Sequence, residues 1–157
     1  MYVTAGTPGD VDGLLTLAAE VEAWFGPMVD DPGFHDALDR NIRRGTAWVV
    51  RSTDGRDLLG GLLTGGRAPA YRLNWLVVAA AARGTGVGSA LVRHAIDRYV
   101  RPCRVDVVTF GVDHPAATDS GARAFYERLG FVAGEQAPPG PEGGSRQWYH
   151  LSLIHCG

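Results

Sequence analysis

Leu73-Asn74-Trp75-Leu76-Val77-Val78-Ala79-Ala80-Ala81-Ala82-Arg83-Gly84-Thr85-Gly86-Val87-Gly88-Ser89-Ala90-Leu91 is the stretch from which the rest of the chain is read. Its first six residues are rich in β-branched and aromatic side chains and predict a buried strand. The glycines predict a tight loop where backbone approaches a ligand or another element closely. Beyond them, Val87, Leu91 and Ala95 fall at helical spacing, with Val92, Ile96 and Tyr99 on the same broad face. A strand, a glycine loop and a helix together build an anion site. The first amides of a helix have no partner within it, and the helix dipole adds positive potential there. Arg83 at the rim adds a permanent cation that suits phosphate.

Three phosphate cradles compete for this pattern. A Walker loop requires Gly-Lys-Ser/Thr, and the chain contains no lysine. A dinucleotide fingerprint requires Gly-x-Gly-x-x-Gly. Counting from Gly84 the last position is Ser89, and counting from Gly86 it is Leu91, so the spacing fails. The third pattern, Arg-x-x-Gly-x-Gly, is met by Arg83, Gly86 and Gly88. A second segment, Ala122-Arg123-Ala124-Phe125-Tyr126-Glu127-Arg128-Leu129-Gly130-Phe131, places a tyrosine on a helix that ends in Gly-Phe.

Together the two segments resemble the GNAT superfamily of acetyl-CoA-dependent N-acetyltransferases. The resemblance implies that amides of Arg83, Gly84, Thr85, Gly86, Val87, Gly88 and Ser89 hold the coenzyme A pyrophosphate. It implies that the backbone of Leu76, Val77 and Val78 pairs with the pantetheine arm. It also implies that Tyr126 protonates the departing thiolate, a task for which a phenol with a pKa of about 10 is suitably protonated at neutral pH. A half-buried helix aromatic packed on Phe125 and Phe131 is the plainer alternative. Seven residues before Tyr126 many members carry asparagine; this chain has Asp119. Aspartate still accepts from pantetheine amides but repels phosphate, and helix capping is its simpler role.

Outward from the central stretch, the order of elements reads β-α-α-β-β-β-α-β-α-β-β. Tyr2 to Ala5 reads as an edge strand. Thr7, Pro8 and Asp10 start a helix whose apolar face is Val11, Leu14, Leu15, Ala18, Val21 and Phe25. A second helix runs over 34–44, and strands are predicted over 46–51, 57–64 and 72–78. Another strand covers 103–110, a helix 119–129, a strand begins at Phe131, and a last strand covers 147–154. The Gly- and Pro-rich segment 134–145 reads as a mobile loop. The expected fold class is α/β: a mixed, mostly antiparallel, twisted sheet of about six to seven strands flanked by about four helices, the GNAT fold. Residues 1–157 read as a single domain.

Composition narrows the partners. The formal net charge of −2 argues against a broad nucleic-acid surface. No apolar run is long enough to span a membrane and no secretory signal is visible, so a cytoplasmic setting is expected. Cys103 and Cys156 lack metal-ligand spacing, and no metal is implied. The exposed edge of the last strand is expected to serve as a homodimer seam.

The acceptor side is less legible. An ammonium must lose a proton before its nitrogen attacks a thioester. Relatives often place a glutamate on the strand before the glycine loop, yet between Gly60 and Arg83 there is no Asp, Glu or His. Substitutes are Glu22, Asp106, Asp113 and His114, or a water ordered by Asn74. His114 has the best unperturbed pKa but equally reads as a solvated loop residue. Trp24, Phe25, Asp30 and Asp31 fall where an acceptor pocket is expected, with Trp75 and Trp48 as further wall residues. Aromatic faces with carboxylates suit a small cationic amine. A CoA-binding regulatory module without catalysis, or a protein N-acetyltransferase, remains the alternative.

Overall fold

Two adjacent glycines set the spacing between layers. The computed structural model describes residues 1–154, and strand β3 (Leu58–Arg67) carries Gly60 and Gly61 near its middle. Successive residues of a strand face opposite sides. A Cβ at Gly60 would lie 2.6 Å from the Val87 side chain, and one at Gly61 would lie 2.6 Å from Leu14. Helix α3 (Val87–Ile96) therefore closes on one face of the sheet and helix α1 (Val11–Phe25) on the other, each where β3 presents no side chain.

Around β3 the sheet has seven strands: β1 (Val3–Ala5), β2 (Ala47–Arg51), β3, β4 (Ala70–Val78), β5 (Cys103–Phe110), β6 (Val132–Ala137) and β7 (Arg146–Leu153). Their order is β1-β2-β3-β4-β5-β7-β6. Only β4 and β5 run parallel; every other neighbouring pair is antiparallel. Helix α2 (Pro32–Arg44) lies with α1. The short helices α4 (Ala116–Asp119) and α5 (Ala122–Arg128) follow β5. The expected mixed α/β layout is thus present, with five helices.

Each face has its own core. Leu62, Leu73, Leu91, Val105, Val107 and Tyr149 are buried under α3 and α5. Leu14, Leu17, Leu38, Leu63 and Val77 form the core under α1 and α2. The start of α1 is fixed to β2 because the buried Asp10 carboxylate accepts from Thr7 N at 2.8 Å and pairs with the Arg51 guanidinium. Burial alone would raise the Asp10 pKa, but Arg51 and the Thr7 amide outweigh it and hold the carboxyl below its usual value.

A bulge in β4 changes which face its side chains reach. Leu63 pairs with Trp75 and Thr64 pairs with Leu73, so Asn74 is an extra residue on β4. Leu73 consequently packs toward α3, while Trp75 and Val77, two and four residues on, pack toward α1. The pairing of β4 with β5 runs from Ala70↔Arg104 to Leu73↔Val107 and stops at that bulge. β5 continues to Phe110 paired only with β7.

Several boundaries differ from the sequence reading. The β3–β4 connection is a tight turn at Ala68 and Pro69, because both strands extend into the predicted loop. The helix expected over 119–129 divides at Gly121, whose φ of 68° is left-handed and starts α5 anew. The predicted loop 134–145 begins as strand through Ala137 and is then tied by Glu142, which pairs with Arg146 at 2.8 Å. Trp48 packs on the α3 side against the His94 ring at 4.6 Å, not on the acceptor side. The last strand, β7, is paired on both sides, so the dimer seam expected at its edge has no free edge to use; the terminal strands of the sheet are β1 and β6. Cys156 lies outside the described residues.

The glycine spacing yields a stability test. Gly60→Ala should destabilise the fold by about 2 kcal/mol, because the new methyl overlaps Val87 and is tightly held by the Val77 carbonyl behind it. Urea unfolding measures this, and an unchanged midpoint would contradict the close approach of α3 to β3.

Candidate active site

Where β4 leaves β5, the sheet forks. Beyond Leu73 the β5-facing edge of β4 has no strand beside it, so backbone groups of Asn74 to Val78 on that edge are open to a ligand. The fork opens into a cleft of about 920 Å³, bounded by α1, the start of α2, the glycine loop and α5. That is the size of a pocket that encloses most of an organic ligand.

The glycine loop forms one end of the cleft. Gly84 and Gly86 have φ of 78° and 91°, a backbone region that L side chains rarely adopt. No heavy atom lies within 4 Å of a Cβ built at either, so their outer surface is open. Ala90 N is the first amide of α3 to donate within the helix, to Gly86 O at 3.0 Å. The amides of Val87, Gly88 and Ser89 thus have no partner inside the helix and, with the dipole of a ten-residue helix, face the cleft. Arg83 lies over the Trp24 ring with Cζ 4.7 Å from its centroid. Thr85 does not line the cleft; its hydroxyl donates to Ala82 O and closes the loop from behind. Open amides, a dipole and a guanidinium fit the pyrophosphate of a coenzyme A ligand.

Tyr126 comes from α5, whose Phe125 ring would lie 3.1 Å from a Cβ at Gly88. This close approach brings α5 against the start of α3 and places Tyr126 in the wall of the same cleft as Val77 and Val78. Phe125, Phe131 and Tyr149 surround the ring at centroid distances of 5.1, 5.5 and 6.5 Å. Burial pushes the phenol far above its ordinary pKa, so it stays protonated through the alkaline range. No hydrogen bond among the described residues holds its hydroxyl.

The α1 and α2 side of the cleft is walled by Trp24, Phe25, Asp31, Phe34 and Trp75, with Pro141 from the segment before β7. Leu76 lines the cleft as well. Six of the residues singled out in the sequence are placed elsewhere. Glu22 turns back to accept from Met28 N at 2.6 Å and Val29 N at 3.3 Å, so it shapes the bend after α1. Asp30 is exposed in that bend. His114 is buried: its Nδ1 accepts from Ala116 N at 2.9 Å, and its Nε2 faces Glu142 at 3.3 Å. Asp119 is exposed at the end of α4, and Gly121 occupies the cap of α5 that Asp119 was expected to fill. Asp106 lines a smaller cavity that shares Arg72 and Asn74 with the cleft, and it is paired with Arg104 and His150. Asp113 accepts from the Ser145 hydroxyl.

Among the described residues lining the cleft, Asp31 is the sole carboxylate and there is no histidine. Arg72, Arg128, Arg146 and Trp148 line it without having been foreseen. Arg72 and Asn74 had one signal, two polar residues in an otherwise apolar strand. Arg146 and Trp148 had none, because their strand crosses from the far side of β5. Among the described residues no group of three or more His, Cys, Asp or Glu side chains is placed to hold a metal ion, and no helix is long and apolar enough to cross a membrane.

Comparison with known proteins bears directly on this arrangement. No curated protein matches the chain by sequence. The fold is similar to that of Ard1 from Thermoplasma volcanium, with a TM-score of 0.76 at 16% identity over 98% of both chains. It is similar to a ribosomal-protein-alanine N-acetyltransferase from Brucella melitensis, with a TM-score of 0.72 at 19% identity over 98% of this chain and all (100%) of that one. A third similar structure is a NatC complex bound to Gag peptide and CoA, with a TM-score of 0.73 at 16% identity over 98% of both chains. Residues 43–133, more than half of the chain, match the model of the acetyltransferase (GNAT) domain. Because that matched span runs from the end of α2 through the fork, the glycine loop and Tyr126, the chain belongs to the GNAT family of acetyltransferases.

Proposed function

We propose that this protein is an acetyl-CoA-dependent N-acetyltransferase whose single domain transfers the acetyl group to the primary amine of a small molecule. The observation that carries the reading is one cleft that joins the open glycine loop, the free edge of β4 and the buried Tyr126 hydroxyl. Acetyl-CoA supplies the activated acetyl thioester. The amides of Gly84, Gly86, Val87, Gly88 and Ser89 and the Arg83 guanidinium bind its pyrophosphate, and the β4 edge at Leu76 to Val78 aligns its pantetheine amides. Trp24, Phe25 and Trp75 enclose the amine, and Asp31 attracts its ammonium form. Both substrates are held together, so the amine attacks directly. Tyr126 delivers its proton to the departing sulfur. The route calls for no metal ion. Cys103 is buried and free, in keeping with a cytoplasmic setting.

Among the described residues no histidine and no glutamate line the cleft, so the amine loses its proton to water or to Asp31 rather than to a tuned base. The ascending limb of kcat/KM against pH should therefore follow the ionisation of the acceptor amine and move when amines of different basicity are compared. Burial raises the Tyr126 pKa, so the profile should not fall near pH 10, where an ordinary tyrosine would lose its proton. A limb that stays near pH 6 to 7 for every amine would instead reveal an enzyme histidine.

Tyr126→Phe should lower kcat by about 100-fold with little change in acetyl-CoA affinity. Unchanged thiol release under conditions where chemistry limits would remove Tyr126 from the acid role. Gly86→Val should raise the acetyl-CoA dissociation constant by about tenfold, because valine resists the left-handed backbone that aims the loop amides. Titration calorimetry reads this directly. Acetyl-CoA binding without thiol release for any amine would favour a regulatory module.

A further inference from the structure

The cleft is more cationic than its family reading requires. Among the described residues four arginines line it (Arg72, Arg83, Arg128 and Arg146) against the one carboxylate of Asp31. Arg83 belongs to the glycine loop, and Arg128 to α5, which packs on that loop through Phe125. Arg146 is neutralised by Glu142 at 2.8 Å. Arg72 is different. Its nearest acidic candidate, Asp106, sits level with it on β5 but is taken by Arg104 at 2.8 Å and by His150. Among the described residues the Arg72 side chain has no ion pair; its guanidinium lies over the Trp148 ring, with Cζ 5.2 Å from the centroid.

The strand register shows which way this guanidinium leans. Arg72 pairs with Asp106, whereas Trp148 pairs with Val108, two residues further along β5. β4 and β5 are parallel, so leaning toward Trp148 means leaning toward the fork. The guanidinium thereby comes level with Asn74, two residue steps short of Leu76, where the free edge of β4 begins to serve the thioester. Two steps along a strand span about 7 Å.

We infer that Arg72 binds an anionic group of the acceptor, and that the acceptor is a small amino acid whose reacting amine lies about 7 Å from its carboxylate, as in an ω-amino acid. The inference rests on the N-acetyltransferase reading above and names its substrate class. The guanidinium meets the carboxylate bidentately while Trp148 supports its plane from below. The aromatic wall covers the methylenes between the two charges, and Asp31 faces the ammonium end. The acceptor's two charges are thus complemented by the two unlike charges of the cleft.

The test compares the ω-amino acids from aminobutanoate to aminohexanoate with their primary amides and with alkylamines of equal length, following thiol release from acetyl-CoA. The acid should exceed its own amide in kcat/KM by about 10- to 100-fold at the best length, the strength of a charge-assisted contact. Arg72→Gln should bring that acid-to-amide ratio close to one, and Arg72→Lys should restore part of it. A partial loss of fold would scale the rates with acid and amide alike, so the ratio reports the folded variant alone. Equal use of acid and amide by the unaltered protein, or a ratio that survives Arg72→Gln, would overturn the inference while leaving the acetyltransferase reading in place. Silence with every amine would overturn that reading instead. The inference then stands or falls on calorimetry of aminohexanoate with the CoA-bound protein: binding lost in Arg72→Gln retains the carboxylate site, and no binding overturns it.

Discussion

The parting of β4 from β5 is the constraint on which the active site depends. Parallel strands normally share hydrogen bonds along their length, and here they share them only as far as Leu73 and Val107. The cause lies on the other side of β4, where Asn74 is an additional residue against β3. A bulge of this kind bends a strand and increases its twist. β3 holds β4 on one course while β7 holds β5 on another, and the two diverge. Everything catalytic in the reading uses the gap: the free backbone of β4, the amides of the following loop, and Tyr126 brought across from α5.

The bulge also settles the identity of the walls. Without it, Leu73, Trp75 and Val77 would share a face by the simple alternation of a strand. With it, Leu73 joins the core under α3, whereas Trp75 reaches the acceptor side and packs on Phe34 with ring centroids 5.4 Å apart. A single inserted residue thus converts a core tryptophan into a pocket wall and leaves Arg72 on the same side as the cleft.

Charge is distributed with equal economy. Nearly every acid near the cleft is already engaged: Glu22 by backbone amides, Glu142 by Arg146, Asp106 by Arg104 and His150. These contacts hold loops and strands in place and withdraw negative charge from the cavity. The result is a cleft with cationic groups at both ends, which suits the pyrophosphate proposed for the glycine loop and the carboxylate proposed for Arg72. It also explains why the acidic bend after α1, which the sequence offers as an ammonium site, contributes only Asp31.

The features legible in the sequence were local ones. The strand, the glycine loop with its left-handed Gly84 and Gly86, the helix that follows, and the tyrosine four residues before Gly130 are all written in contiguous segments, because loop conformation and helical spacing depend on near neighbours. The fold class followed from the order of those segments. What only the tertiary structure decided depends on which strands lie side by side. Strand β7 passes between β5 and β6, which denies it a free edge and carries Arg146 and Trp148 into the cleft from far downstream of β4. The pairing of His114 with Glu142 and the placement of Arg72 over Trp148 likewise arise from contacts between distant segments. A residue's type announces what chemistry it can do, but its partners determine whether it is free to do it.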